Sequence, residues 1–173
     1  VTFSPDSKRI AVGTKDARVQ VYDAASGKQL FNENNNSQVS GIRFTPDSSM
    51  LVTSSVNEPP KLWNAKTGEL IRKFEKAPTF QQWVAVSPNG NLVATASWGG
   101  ESILWEMRTG KLLSKYPAPK MPEVDSTEDV FGGFRNFARR QFSPHLNYVE
   151  FSPNGKLLSL IHISEPTRRI EIA

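Results

Sequence analysis

Short runs of apolar residues, separated by turn residues, recur along the whole chain. Val39–Phe44 is rich in β-branched and aromatic residues and ends at Thr-Pro-Asp-Ser, and further apolar runs follow at 50–53, 61–63 and 70–74. Proline presets φ for the second position of a type I turn, and Asp tolerates the position after it. The pattern therefore predicts four short β-strands joined by tight turns.

The same plan fits the stretches before and after this one. We expect the strands at 10–14, 18–22 and 29–31 before it, and at 82–87, 92–96, 102–105 and 112–116 after it. Four short strands form a twisted antiparallel sheet, which alone buries too little apolar surface to be stable. Stacked radially on its neighbours, such a sheet becomes a blade of a β-propeller.

Three markers keep this repeat in one register. They are the turn proline, the aromatic residue that ends the third strand, and the glycine of the following turn. The prolines Pro5, Pro46 and Pro88, the aromatics Tyr22, Trp63 and Trp105, and the glycines Gly27, Gly68 and Gly110 are each spaced by 41 and then 42 residues. A fourth proline, Pro153, follows after 65 residues. This self-similarity is the signature of a repeat architecture.

The repeat resembles that of the WD-repeat (tryptophan–aspartate) β-propellers, in which an FSPDG turn precedes a strand ending in WD and a TG turn. Here the turns read FSPDS, FTPDS, VSPNG and FSPNG, and the strand ends include Leu62-Trp63-Asn64 and Leu104-Trp105-Glu106. The resemblance implies an all-β propeller, a non-catalytic role in protein–protein interaction, and an intracellular location, cytoplasmic or nuclear.

The chain also departs from that family pattern. No unit has the Gly-His dipeptide before its innermost strand, Asp23 alone keeps the terminal Asp of the third strand, and Asp16 alone matches the loop aspartate. The family's buried His–Ser/Thr–Asp–Trp network therefore cannot be built, and we expect packing to hold the blades together in its place.

The spacing divides the chain into blades and an insertion. We expect three complete blades at about 1–32, 39–74 and 80–116, an inserted loop at 117–146, and the start of a fourth blade at 147–157. Because a full ring needs four to eight blades, we expect the chain to be a piece of a longer protein whose remaining blades pack against it.

Residues 158–173 break the repeat pattern. The string LSLIHISEPTR at 158–168 resembles the in-frame translation of a transposase-type sequencing adapter, so we expect a non-native tail. The alternative is a genuine strand at 157–163. An unrelated codon series in the source nucleotides would exclude the adapter.

The sequence offers little for catalysis. The 173 residues contain no cysteine, and His145 is the single histidine outside the suspect tail. No G-x-S-x-G elbow and no pair of histidines at metal-ligand spacing is present. Glu101 and Glu106 lie at the ends of one short strand, and Gly99-Gly100 fits a hairpin turn better than a phosphate loop. We expect no catalytic residue, cofactor or metal, and a net charge of +4 is too small to favour nucleic acid.

The insertion is the most individual segment. After prolines and an acidic cluster, it interleaves aromatic and basic residues: Phe131, Phe134, Arg135, Phe137, Arg139 and Arg140. The phenylalanine spacing fits one face of a short helix. This element could dock in a partner groove, contact single-stranded RNA, or pack on its own blade, and the last interpretation is favoured because large exposed apolar clusters are uncommon.

The family topology places certain loops on one face, called the top face. Its candidate partner-binding residues are Lys15, Asp16, Asn57, Glu58, Trp98 and Glu101, together with the insertion. Trp98 stands where the repeat normally has a small or polar residue, so it is either an interface anchor or a side chain packed on the insertion. Two alternatives to a scaffold remain open: an accessory domain of a larger enzyme or signalling protein, and a weak single-stranded RNA binder.

Overall fold

The computed structural model describes residues 1–75, 81–98, 100–117, 146–162 and 165–172, and these form four antiparallel sheets. The first sheet contains β1 (Thr2–Phe3), β2 (Arg9–Gly13), β3 (Arg18–Asp23) and β4 (Gln29–Asn34). The second contains β5 (Val39–Phe44), β6 (Met50–Ser55), β7 (Lys61–Asn64) and β8 (Leu70–Lys73). The third contains β9 (Gln81–Val86), β10 (Leu92–Ser97), β11 (Ser102–Glu106) and β12 (Leu112–Tyr116), and the fourth contains β13 (Leu146–Phe151), β14 (Leu157–His162) and β15 (Glu165–Glu171).

Strands pair in chain order within every sheet. The described residues contain no helix, and the expectation of an all-β partial propeller with a four-stranded repeat is confirmed. Each expected strand is present, with ends that differ by at most three residues.

The recurring Pro turn connects the first two strands of each sheet. The Ser4 hydroxyl donates to Asp6 Oδ1 at 2.5 Å, and the Lys8 backbone N–H donates to the same oxygen at 3.1 Å. Thr45 and Asp47 repeat the first of these bonds, and Ser87 and Ser152 repeat it with asparagine acceptors. The side chain thus holds the turn, which is why Asp and Asn interchange there.

The hydrophobic core lies between the sheets. Phe44 and Trp63 of the second sheet pack with Ala11, Val21 and Phe31 of the first. Trp105 of the third sheet packs against the second, with its ring centroid 6.1 Å from that of Phe74 in an edge-to-face arrangement. Ala94, Leu104, Phe151 and Leu158 form the corresponding layer between the third and fourth sheets. Each sheet therefore depends on its neighbours for burial.

The second sheet contains a hydrogen-bonded path as well as packed side chains. Trp63 Nε1 donates to Thr53 Oγ1 at 3.0 Å, and Thr53 Oγ1 lies 3.2 Å from Asn35 Oδ1, to which it donates. Asn35 Nδ2 in turn donates to Ser55 Oγ at 2.6 Å. The family's network with its histidine is not built here, but in the second sheet a different hydrogen-bonded path through Asn35 accompanies the packing that we expected.

The third sheet does not repeat that path. Trp105 Nε1 is buried with no hydrogen-bond partner among the described residues, and Thr95 donates instead to Gln81 Oε1.

The fourth sheet continues beyond the expected blade start. Strands β14 and β15 cover most of the residues expected to be a non-native tail, and the Leu158 side chain is fully buried. A strand over 157–162 agrees with the alternative interpretation of a genuine strand. The adapter origin of these codons stays a prediction, which the source nucleotides test.

Candidate functional site

The described candidate residues lie in loops at one end of the sheets, the top face. These loops are 14–17 between β2 and β3, 56–60 between β6 and β7, and 98–101 between β10 and β11. The connection 35–38, between the first and second sheets, joins two of them: the Asn35 N–H donates to Ala17 O at 2.8 Å, and the Asn57 N–H donates to Ser37 Oγ at 3.2 Å. Hydrogen bonds to the connection 35–38 therefore link the top-face loops of the first and second sheets.

Lys15 and Asp16 form the exposed tip of the first of these loops. A side-chain hydrogen bond from Thr14, followed by a backbone hydrogen bond, holds the pKa of Asp16 below its usual value. Asp16 is therefore ionised at neutral pH, and the loop presents one cation beside one anion.

Asn57 and Glu58 belong to the second loop. Asn57 is exposed, whereas the half-buried Glu58 carboxylate lies 3.6 Å from both Lys61 Nζ and Lys73 Nζ. Burial lowers the pKa of Lys61, and the attraction of Glu58 opposes that effect. Lys61 also donates to the Asn35 backbone carbonyl. Glu58 therefore forms ion pairs with two lysines of the second sheet, and it also contributes to the surface of the top face.

Trp98 and Glu101 share the third loop. The Trp98 side chain is 54% exposed and Glu101 is partly buried. The loop is a tight hairpin, since the Ser97 N–H donates to Glu101 O at 2.9 Å and Gly100 has a φ of 81°. That glycine agrees with the predicted turn, while Gly99 lies outside the described residues. The Trp98 side chain is therefore more than half exposed at the end of a hydrogen-bonded hairpin.

The remaining predicted site residues lie outside the described part of the chain. They are Phe131, Phe134, Arg135, Phe137, Arg139 and Arg140, and His145 lies there as well. Their interpretations stay predictions.

Sequence reasoning missed a row of side chains that joins three inner strands. The Arg43 guanidinium lies 4.7 Å above the Trp83 ring, and that ring lies 4.9 Å from the Tyr148 ring. The Tyr148 hydroxyl donates to Glu150 at 2.7 Å, and burial, followed by this carboxylate, raises the pKa of Tyr148. Aligning the inner strands on their prolines would have found the signal, because Trp83 and Tyr148 occupy the same repeat position.

The described residues hold no cluster of three or more side chains suited to binding a metal ion. Among the described residues, no helix is long and apolar enough to cross a membrane bilayer. The described candidate residues lie in loops that connect strands of three sheets, an arrangement that can bind a surface.

Comparison with known proteins gives a consistent family. The sequence profile described as "Nucleolar protein 10-like, N-terminal domain", a β-propeller profile, matches residues 1–102.

Three curated relatives are similar over shorter stretches. WD repeat-containing protein 1 of Gallus gallus is 27% identical over 78 residues, which cover 43% of this chain and 13% of the relative. Periodic tryptophan protein 2 of Arabidopsis thaliana is 30% identical over 89 residues, covering 50% and 10%. Eukaryotic translation initiation factor 3 subunit I of Botryotinia fuckeliana is 34% identical over 71 residues, covering 39% and 21%. The matches thus span about a tenth to a fifth of these relatives' lengths.

Proposed function

The chain belongs to the β-propeller family described as "Nucleolar protein 10-like, N-terminal domain", and we propose that it is a non-catalytic platform that binds other proteins through its top face. WD-repeat propellers act generally as protein-interaction scaffolds. The single observation that carries the choice of face is Trp98, a large aromatic side chain that is more than half exposed on a hydrogen-bonded hairpin.

An exposed tryptophan beside charged loops resembles the hot spots of protein interfaces. Such interfaces concentrate their binding energy in a few aromatic or arginine anchors surrounded by polar residues. Trp98 is the anchor in this proposal, and Lys15, Asp16, Asn57 and Glu101 supply the polar rim. The insertion residues Phe131 to Arg140, which lie outside the described residues, are further candidates for partner contact in this proposal.

The experiment compares two alanine variants in one capture assay: Trp98→Ala is the test and Leu113→Ala is the control. Trp98→Ala should abolish recovery of the partner from the source cells, whereas Leu113→Ala should retain it, because Leu113 is 47% exposed on an outer strand away from the top face. Circular dichroism checks that both variants fold. Equal recovery by both variants refutes the choice of face, and unfolding of Trp98→Ala alone means that the indole packs structurally.

The family description also suggests a location. We propose that the protein is intracellular and acts in the nucleolus, and a fluorescent fusion of the full-length protein, imaged in its source cells, tests this.

Two other functions remain as alternatives. An accessory role beside a catalytic domain would require such a domain in flanking sequence, and the complete reading frame discriminates it. RNA binding through Phe131 to Arg140 predicts strongly salt-dependent association with single-stranded RNA. Absence of association at low salt excludes it.

A further inference from the structure

A cavity of about 630 Å³ lies between the first and second sheets, at the end opposite the top face. Its volume falls within the range of about 300–1,000 Å³ that is usual for ligand pockets. Its charged and apolar lining residues are Asp6, Lys8, Arg9, Asp23 and Leu30 of the first sheet and Lys66 of the second. We call this cavity the cleft.

Arg9 stands at a repeat position that is apolar in the other three sheets. Four residues after the turn proline, those sheets have Met50, Leu92 and Leu157. Met50 packs against the cluster that joins the second and third sheets, and Leu92 packs against the cluster that joins the third and fourth. An apolar side chain at this position therefore fills the contact between sheets, whereas Arg9 brings a permanent positive charge and several N–H donors to the cleft.

The Arg9 side chain is only 17% exposed and is held against the second sheet. Its Nη2 donates to the Ser48 carbonyl at 2.7 Å, and its guanidinium lies 5.8 Å above the Phe44 ring. The Asp6 backbone N–H also donates to Ser48 Oγ, at 3.1 Å, so hydrogen bonds join the two walls of the cleft. Within the described chain, Nε and Nη1 of Arg9 have no hydrogen-bond partner and are not among the buried polar atoms. They can therefore donate to a bound group.

The two carboxylates of the cleft are already engaged in their own turns. Asp6 Oδ1 accepts from the Ser4 hydroxyl and the Lys8 backbone N–H, and Asp23 Oδ1 accepts from the Ser26 hydroxyl and backbone N–H. Hydrogen bonds from Ser4 and Ser26 are the largest causes that hold the pKa values of Asp6 and Asp23 below their usual value. Both carboxylates are therefore ionised at neutral pH and serve the turns.

The two lysines of the cleft are less engaged. Lys8 and Lys66 are both exposed, and the ion pairs of the described residues involve neither of them. Together with Arg9, they give the cleft three cations against two carboxylates, which is a net charge of +1. Leu30, which is 43% exposed, adds an apolar surface to the same lining. The cleft therefore combines a small excess of positive charge with one apolar contact point.

We propose that the cleft binds a peptide segment of a partner protein in which one Asp or Glu lies next to an aliphatic or aromatic residue. The carboxylate of the peptide accepts hydrogen bonds from Arg9 and is attracted by Lys8 and Lys66. The neighbouring apolar side chain packs on Leu30. One carboxylate neutralises the net charge of +1, whereas a phosphate group, at about −1.5 to −2, exceeds it beside two carboxylates. This site is separate from the top face, so either proposal can fail without the other.

A phage-displayed library of random heptapeptides probes the cleft. The library is first depleted on the Arg9→Met variant and then selected on the parent chain. Methionine is the residue of the second sheet at this repeat position, so the variant should fold. The selection should enrich peptides in which Asp or Glu is adjacent to an aliphatic or aromatic residue.

Fluorescence polarisation then measures the affinity of one enriched peptide carrying fluorescein. The dissociation constant should rise about tenfold or more for Arg9→Met, because a charged hydrogen-bond donor is lost. It should rise about two- to fivefold for Lys8→Ser, since an exposed ion pair contributes less. Lys156→Ser is the matched control and should leave the affinity unchanged, because Lys156 is the exposed counterpart of Lys8 in the fourth sheet.

Three results would overturn the proposal. The first is a selection that does not enrich acidic residues next to apolar ones. The second is an unchanged affinity for both Arg9→Met and Lys8→Ser. The third is tighter binding after phosphoserine replaces the acidic residue of the peptide, because the cleft would then prefer a phosphate group. If circular dichroism shows that Arg9→Met unfolds, the comparison of Lys8→Ser with Lys156→Ser decides, since both lysines are exposed.

Discussion

Single hydrogen bonds distinguish two tryptophans that occupy the same repeat position. Trp63 Nε1 reaches Thr53 and, through it, Asn35, whereas Trp105 Nε1 has no partner among the described residues. Both indoles are buried, so the two tryptophans differ in the hydrogen bonding of Nε1 and not in burial. A buried polar group without a partner loses its hydration with no compensation. The Trp63 N–H has a hydrogen bond that compensates for this loss, whereas the Trp105 N–H has none within the described residues.

Thr53→Val tests that path. The substitution preserves the shape of the side chain but leaves Trp63 Nε1 and Asn35 Oδ1 without this partner, so we expect a loss of about 1–3 kcal/mol in the free energy of unfolding. Urea denaturation followed by tryptophan fluorescence measures it.

Ser102→Ala is the matched control. The Ser102 hydroxyl is also fully buried, but it has no hydrogen-bond partner within the described chain, so its removal should leave stability unchanged or slightly higher. Equal losses for the two variants would contradict the role given to the Thr53 path.

The turn carboxylates make stability depend on pH. Hydrogen bonds from Ser4 and Ser49 are the largest causes that hold the pKa values of Asp6 and Asp47 below their usual value. Because folding favours the ionised form, this stabilisation is complete above the ordinary pKa of about 3.9. It is lost as pH falls through the lower pKa of the folded state.

Asp6→Asn combined with Asp47→Asn should therefore lose less stability than the parent between about pH 5 and pH 3. Asparagine already holds this turn at positions 89 and 154, so the turns should survive. Thermal melts at a series of pH values measure the effect, with exposed Glu33→Gln as the charge control. Parallel pH profiles for parent and double variant would refute it.

At the scale of elements, local patterns made the strands predictable. Apolar runs bounded by Pro and Gly turns located β5 and β12 to the residue, because these turns are local in sequence. The role of Asn35 was not predictable in this way, since it lies in the connection between sheets and its partners Thr53 and Ser55 come from another sheet. Long-range pairs of this kind depend on how sheets stack.

The turn glycines give a prediction at the same scale. Gly68 and Gly27 have similar positive φ values of 79° and 70°, so alanine should cost each about 1–2 kcal/mol of backbone strain. Gly68→Ala should lose more stability than Gly27→Ala, because its new Cβ also collides with the Phe31 ring. Chemical denaturation of both variants isolates the contact between sheets, and equal losses would show that the backbone conformation alone requires glycine.

At the scale of the whole molecule, the repeat topology, and not the exposure of particular side chains, made the candidate top face predictable from the sequence. The repeat register alone placed Asp16, Asn57 and Trp98 in equivalent loops. It did not reveal that Glu58 would bridge two lysines, or that Arg43, Trp83 and Tyr148 would stack across three sheets. The Glu58 ion pairs lie within the second sheet and depend on how its loop folds back, whereas the Arg43–Trp83–Tyr148 stack depends on the distances between sheets, which no single repeat contains.

Because the apolar clusters join neighbouring sheets, we expect contacts between sheets to contribute strongly to stability, and two equivalent phenylalanines test this. Phe44→Ala removes a ring that is 6% exposed between the first and second sheets and should cost about 3–5 kcal/mol. Phe3→Ala removes its counterpart, which is 62% exposed, so the loss should be far smaller. Urea denaturation compares the two variants directly. Because repeat type and residue type are the same, a comparable loss at Phe3 would mean that stability arises within each sheet and that stacking adds little.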